Sequence, residues 1–206
     1  MSLEIAPSDY QVFMLTGFPS FMETQRLEDE MLAEAQLSSL DRPSRSRRSP
    51  TTFHIAIEDG RPLGVASSTV GPLAELPLGL ALAAAGVDLG AELELPDPAC
   101  ELVSVSVDPT REGSSTGVTE ALYRSFYRHA KESDARSAVV GVDPWIFDVL
   151  TEEYGVPFRV LGPPLVLLGR ELLAIGGALE VLEAGIRSNA PEFAAYLDLP
   201  QDLPGV

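Results

Sequence analysis

Residues 100–122 read CELVSVSVDPTREGSSTGVTEAL, and this stretch decides the fold. Cys100–Val107 alternates apolar and polar side chains and is rich in valine, so it is a β-strand. Asp108-Pro109 ends it. Thr110–Thr116 is a loop, and the chain from Gly117 to about Lys131 reads as a helix, with Leu122, Phe126 and His129 or Ala130 on one face. The unit is strand, small-residue loop, helix.

The surroundings extend the pattern. Tyr10–Leu15 is a short β-prone run closed by Gly17-Phe18-Pro19, and Ser20 caps a helix expected to reach about Gln36. Ser38–Pro50 is an Arg/Ser/Pro loop. Thr52–Glu58 and Pro62–Val70 flank Asp59-Gly60, a strong hairpin signal. Gly71–Ala99 is an apolar insertion with a short helix at Pro77–Ala85. Ser137–Val142 is a buried-strand candidate, and Asp143-Pro144 starts a helix that ends at Tyr154-Gly155. Phe158–Leu161 and Leu165–Leu168 read as strands, then Leu172–Arg187 and Pro191–Tyr196 as helices. A mixed order of this kind predicts one layered α/β or α+β domain over 1–206, with C-terminal helices in 172–206. It lacks the regular β-α alternation of a doubly wound nucleotide fold.

Composition sets the bounds. The 206 residues carry 14 Lys+Arg against 31 Asp+Glu, a net charge of −17, yet 45% are hydrophobic and mean hydropathy is +0.12. That apolar content supports a packed core, and the charge repels polyanions at long range, so nucleic acid and anionic membranes are disfavoured partners. One cysteine, Cys100, excludes an internal disulfide and a multi-thiolate metal site. The start, MSLEIAPSDY, has no basic flank before an apolar stretch, so no signal peptide is expected. The longest apolar run, Leu76–Val87, has 12 residues, short of the ~20 of a membrane-spanning helix. A cytoplasmic protein without a metal cofactor is the expectation.

Several residues could carry chemistry. Strand alternation puts Glu101 on one face with Val103, Val105 and Val107. A carboxylate on an apolar face is costly and has a raised pKa, which suits a general base; an exposed strand end or an arginine partner would make it structural instead. The loop from Arg111 to Gly117 frees backbone N–H groups at a helix N-terminus, where a pyrophosphate or phosphopantetheine phosphate would fit, although an ordinary linker has the same composition. It is neither a P-loop nor a G-x-G-x-x-G fingerprint. Cys100 reads as a small core hydrophobe, since no His–Cys constellation supports a nucleophile. His54 and His129 lack metal-ligand spacing and read as structural, and Trp145 reads as a packing anchor. Arg42, Arg45, Arg47 and Arg48 form a local positive patch that could meet a carrier protein or an anionic substrate, or lie in a solvated loop. LPLGLALAAAGV, residues 76–87, is either a wall for an apolar acyl chain or plain core.

Strand, Val107-Asp108-Pro109, Arg111, small-residue loop and helix together resemble the acyl-CoA-binding motif of the GNAT superfamily of N-acyltransferases. Its loop reads Arg/Gln-x-x-Gly-x-Gly/Ala; Arg111 and Gly117 match, and Ser115 stands where a glycine is usual. Asp143–Phe158 resembles the family's next helix, with Thr151 in place of the usual tyrosine and Tyr154 beside Gly155. The Glu101-Leu102-Val103-Ser104-Val105 strand and Leu161-Gly162-Pro163-Pro164 look like the acyl-homoserine-lactone and long-chain N-acyl amino acid synthases, with Ser104 where lactone synthases have arginine. The resemblance spans about Thr52–Arg170.

It implies a mostly antiparallel, mixed sheet whose central strands splay into a V around the pantetheine arm. It implies that backbone N–H groups of Val103 and Val105 polarise the thioester carbonyl, that Glu101 deprotonates an amine acceptor, and that Tyr154 protonates the leaving thiolate. Arg111, Gly113, Ser114, Ser115, Thr116 and Gly117 would cradle the phosphates of acyl-CoA or an acyl-phosphopantetheine carried by acyl carrier protein. Other readings on the same fold are a non-catalytic thioester- or partner-binding module, and a transferase using aminoacyl-tRNA.

Overall fold

Asp59 and Gly60 adopt φ of 50° and 74°, the two left-handed residues that a tight hairpin turn demands. They join strand β2 (Thr51–Glu58) to β3 (Arg61–Gly71) in antiparallel register, and β1 (Gln11–Thr16) lies antiparallel on the other side of β2. The computed structural model describes residues 10–16, 26, 50–90, 93–108, 115–167 and 170–199. Apart from Arg26, which is helical, the expected helix Ser20–Gln36 lies outside them, as does most of the Ser38–Pro50 loop with its four arginines.

Beyond β3 come a 3₁₀ turn (Leu73–Glu75) and helix α1 (Pro77–Ala84), inside the apolar insertion. Then follow β4 (Ala99–Val107), α2 (Ser115–Glu132) and β5 (Ser137–Val142). Helix α3 (Pro144–Asp148) continues as a π-helical turn (Val149–Glu153), and Gly155, at φ 62°, releases the chain. The remainder is β6 (Arg159–Val160), β7 (Leu165–Leu167), β8 (Arg170–Ala178), α4 (Leu179–Asn189) and α5 (Pro191–Tyr196). The sheet order is β1-β2-β3-β4-β5-β8-β6, with β7 also pairing β8. Among the described strands only the β4–β5 pair is parallel, and α2 supplies the long crossover that a parallel pair requires. The fold is thus a mixed, mostly antiparallel sheet flanked by helices, as expected. No described helix is long and apolar enough to cross a membrane.

Helix α2 seals β1–β4 on one face. Val118 and Leu122 are fully buried against Ala56, Ala66 and Leu102, each contributing about 1.5–3 kcal/mol of burial. The approach is close because Gly64 has no side chain; a Cβ there would stand 2.7 Å from Val118 Cγ1. Above the same face, His54 Nδ1 shares a hydrogen bond with Ser125 Oγ at 2.8 Å and His54 Nε2 one with Ser68 Oγ at 2.8 Å. Ser68 Oγ also meets His129 Nδ1 at 3.0 Å. Both histidines are therefore structural links between helix and sheet, and burial depresses the His54 pKa to about 3.

Three expectations are corrected. Residues 172–178 are strand, not helix: β8 pairs with β5, β6 and β7, and these ladders override the helical look of Leu172–Ile175. Gly176-Gly177 would also have cost a helix about 1 kcal/mol each. Trp145 is 64% exposed and anchors no core. Asp143 makes no side-chain cap; its carboxylate takes Arg170 at 2.5 Å.

Candidate active site

The site is built around a seam. β4 and β5 pair from Ala99↔Ser137 to Leu102↔Val140, and no pairing continues past that point. β4 runs on to Val107 against β3, while Gly141 and Val142 continue against β8. The ladder between the two strands ends there, at the place where the sequence resemblance implies a V.

On its β3 side, β4 carries a bulge at the same place. Ser68 pairs with Leu102 and Ser67 with Ser104, leaving Val103 as the extra residue. The bulge overturns the expected side-chain alternation. Leu102, Val105 and Val107 share the α2 face, whereas Glu101 joins Ala99 and Val139 on the face that α1 covers. Glu101 is 4% exposed. The Leu78 N–H, in the first turn of α1, donates to both its oxygens, at 3.0 Å to Oε2 and 3.2 Å to Oε1. Leu76 gives α1 no side-chain cap, so Glu101 satisfies a helix donor from a distant strand. Burial raises its pKa to about 7, against the weaker pull of the Leu78 N–H.

Cys100 points to the other face, among Ala138, Ile175 and Tyr154. Burial, and then the neighbouring Glu101, push its thiol up to about 12, so it packs rather than reacts. Tyr154 is buried at the end of the π turn, edge-on to Phe193 at 4.8 Å, and its hydroxyl donates to Glu120 Oε1 at 3.0 Å. Desolvation and the Glu120 carboxylate raise the tyrosine pKa, and desolvation raises that of Glu120. Thr151 instead bonds back to the Phe147 carbonyl at 2.9 Å, which accompanies the π distortion. Glu101 and Tyr154 thus sit in different packing environments on either side of the sheet.

Of the phosphate-cradle residues, Arg111, Gly113 and Ser114 lie outside the described residues. Ser115 opens α2, so the backbone of Ser115, Thr116 and Gly117 stands at the positive end of an 18-residue helix. A Cβ on Gly117 would sit 3.2 Å from Tyr10 Cε2, a tight contact that the Tyr10 ring would have to relieve by a few tenths of an ångström.

A cavity of about 100 Å³ opens beside the seam. Leu102 and Val140 line it at the sheet, Tyr123 and Phe126 on α2, and Leu182 and Glu183 on α4. Sequence reasoning missed Glu120 and Glu183. Glu120 shares a helical stripe with Tyr123 and Tyr127, and Glu183 follows Leu182 in the apolar stripe of α4, a periodicity that flags both as inward carboxylates. Among the described residues, no three His, Cys, Asp or Glu gather as a metal group.

No protein-family model matches the sequence, and no curated protein matches it. Solved structures do. MesI, a CoA-dependent acyl-homoserine lactone synthase, aligns over 95% of this chain and 100% of its own, with TM-score 0.61 at 14% identity. FeeM, an N-acyl amino acid synthase from uncultured soil microbes, aligns over 85% and 95%, with TM-score 0.59 at 14% identity. BjaI, a CoA-dependent acyl-homoserine lactone synthase solved with SAM and isopentyl-CoA, aligns over 93% and 91%, with TM-score 0.59 at 15% identity. At 14–15% identity, these structures share the fold of this chain.

Proposed function

We propose that this chain is an N-acyltransferase that moves an acyl group from a pantetheine thioester to a small-molecule amine. The observation that carries the reading is the seam: a parallel pair that stops at Leu102 and Val140, with a buried carboxylate one residue before the opening and a helix N-terminus at the far end of β4. The fold neighbours MesI, FeeM and BjaI support it through the chemistry their names carry.

In this reading the thioester carbonyl enters between the diverging strands. Backbone N–H groups of Val103 and Val105 stabilise the oxyanion that forms on it. The acceptor amine attacks the carbonyl carbon, and its proton passes to Glu101, directly or through water. The C–S bond breaks, the amide forms, and the thiolate takes a proton. Tyr154 is the proposed donor, with Glu120 positioned to share its proton across the 3.0 Å contact. Arg111, Gly113, Ser114, Ser115, Thr116 and Gly117 hold the phosphate of CoA or of a carrier-bound arm. Ser104, in place of an arginine, points to an acceptor other than that of the lactone synthases.

One observation favours a second reading. Both oxygens of Glu101 already bind the Leu78 N–H, as a structural cap would. A thioester-binding module without turnover would show the same contact. The full-length protein is incubated with acyl-CoA or acyl-loaded carrier protein and a pool of amines, with free thiol and new amides measured together. Stoichiometric thiol and amide support transfer; CoA binding without thiol release supports the module and overturns the enzyme.

A further inference from the structure

Strand β1 (Gln11–Thr16) is the last strand on its side of the sheet, and among the described residues nothing pairs with its outer edge. Alternate residues of such an edge turn N–H and C=O groups outward, a row that another strand can satisfy. β1 runs against β2 from Gln11↔Ile57 to Thr16↔Thr52 without a register shift, so no bulge twists the edge away. From Tyr10 to Thr16 the sequence reads YQVFMLT, with no charge, proline or glycine. Edges are ordinarily kept from pairing by lysines, prolines or bulges, and this strand has none of them.

The strand is held firmly on the body of the protein. Tyr10 and Val12 pack against the cluster of Val118 and Leu122, and Thr16 Oγ1 meets Thr52 Oγ1 at 3.1 Å. Its remaining apolar side chains are left in water: Phe13 is 47% exposed, Met14 40% and Leu15 36%, three large apolar residues in a row. The other exposed large apolar residues of the described chain, Leu80, Trp145, Val160, Val166 and Val181, are scattered singly over five other elements.

Charge and symmetry select the partner. The chain carries −17, so two copies repel wherever acidic faces meet and approach with least opposition along an uncharged strip. A basic partner finds no carboxylate on the strand itself. Antiparallel pairing about a two-fold axis at Phe13 sets Phe13 opposite its own copy, Val12 opposite Met14 and Gln11 opposite Leu15, and no charge faces another. We propose that β1 pairs in this way with β1 of a second copy of this chain, joining two sheets into one. A single strand pair is a small interface, so the dimer is weak and reversible. The pairing does not depend on acyl transfer.

The full chain is followed by sedimentation velocity from about 1 to 500 µM, at ionic strengths of about 0.01 and 0.3 M. A monomer–dimer equilibrium is expected that tightens about tenfold at the higher ionic strength, where the repulsion between two bodies of −17 is screened. A chain that stays monomeric throughout overturns the pairing and leaves the edge to a foreign strand. A dimer that weakens with salt overturns it in favour of an ion-paired face, and growth beyond two copies refutes the two-fold axis. Phe13→Lys is expected to abolish the dimer even though it lowers the net negative charge, while Val166→Lys on β7 is expected to leave it unchanged; the opposite pattern rules out β1 as the interface. Should Phe13→Lys not fold, cross-linking decides. The native thiol, Cys100, is buried, so a mild oxidant is expected to link Phe13→Cys dimers several times faster than Val181→Cys on α4. Equal rates for the two positions overturn the assignment.

Discussion

Replacing Glu101 with glutamine tests stability and chemistry in one variant. The carboxyl titrates near 4.5 in the unfolded chain and near 7 in the fold, because burial disfavours its charge. Between those values the native state holds a proton that the unfolded state has lost. Stability therefore falls as pH rises through this window, and the loss is complete above pH 7. At 1.36 kcal/mol per unit of pKa, ionised Glu101 costs the fold about 3 kcal/mol. Glu101→Gln keeps an acceptor for the Leu78 N–H and cannot ionise. Urea unfolding of both proteins at pH 4 and pH 8 gives a difference in which the other titrating groups cancel. Wild type is expected to lose about 3 kcal/mol more than the variant over that span. In parallel, turnover of the variant at pH 8 is expected to drop by about 10²–10⁴, and wild-type kcat/KM to climb with pH to a plateau above about 7. A pH-independent stability difference refutes the burial argument. The expected stability pattern with undiminished turnover refutes the base and leaves Glu101 as a cap for α1.

Three further outcomes are expected. Tyr154→Phe removes the hydroxyl that Glu120 accepts and strands a buried carboxylate, lowering stability by about 1–3 kcal/mol in urea titration and, if the tyrosine donates to the thiolate, lowering kcat as well as Tm. Gly64→Ala drives a methyl to 2.7 Å from Val118 Cγ1 and lifts α2 from the sheet, at a cost of about 1–3 kcal/mol; unchanged stability would mean that the helix yields freely. His54 stays neutral in the fold down to about pH 3 but takes a proton below 6.5 when unfolded, so wild type loses stability as pH falls through that window. Against His54→Gln, that acid loss is expected to reach about 2 kcal/mol at pH 5, read from urea midpoints at pH 5 and 7.5.

The sequence resolves elements whose information is local. Asp59-Gly60 names its hairpin, and Ser137–Val142 and Pro191–Tyr196 are elements with the ends the pattern predicts. β8 is invisible locally because its identity comes from partner strands, and Leu172–Ile175 satisfies a helix or a strand equally well. The bulge at Val103 is a property of the β3–β4 register, not of the ELVSV pattern, so the true neighbours of Glu101 could not be read from alternation. Burial of Glu101 was legible as chemistry, since a lone carboxylate in a valine-rich strand must find a partner. That the partner is the Leu78 N–H, 23 residues earlier, depends on how the apolar insertion folds back. Tyr154 could be named from Tyr-Gly, but its pairing with Glu120 needs the crossover helix and the π turn in one frame.

The seam has a thermodynamic side. Four parallel residue pairs form the ladder between one antiparallel half, β1–β4, and the other, β5–β8. A molecule lodged where that ladder stops touches both halves at once and is absent from the unfolded ensemble, so its binding free energy adds to the cohesion of the whole sheet by mass action. Occupancy and folding stability then become one measurement: a ligand at a hundred times its Kd raises the unfolding free energy by about 2.7 kcal/mol. A thermal scan across candidate thioesters would rank them before any reaction is run.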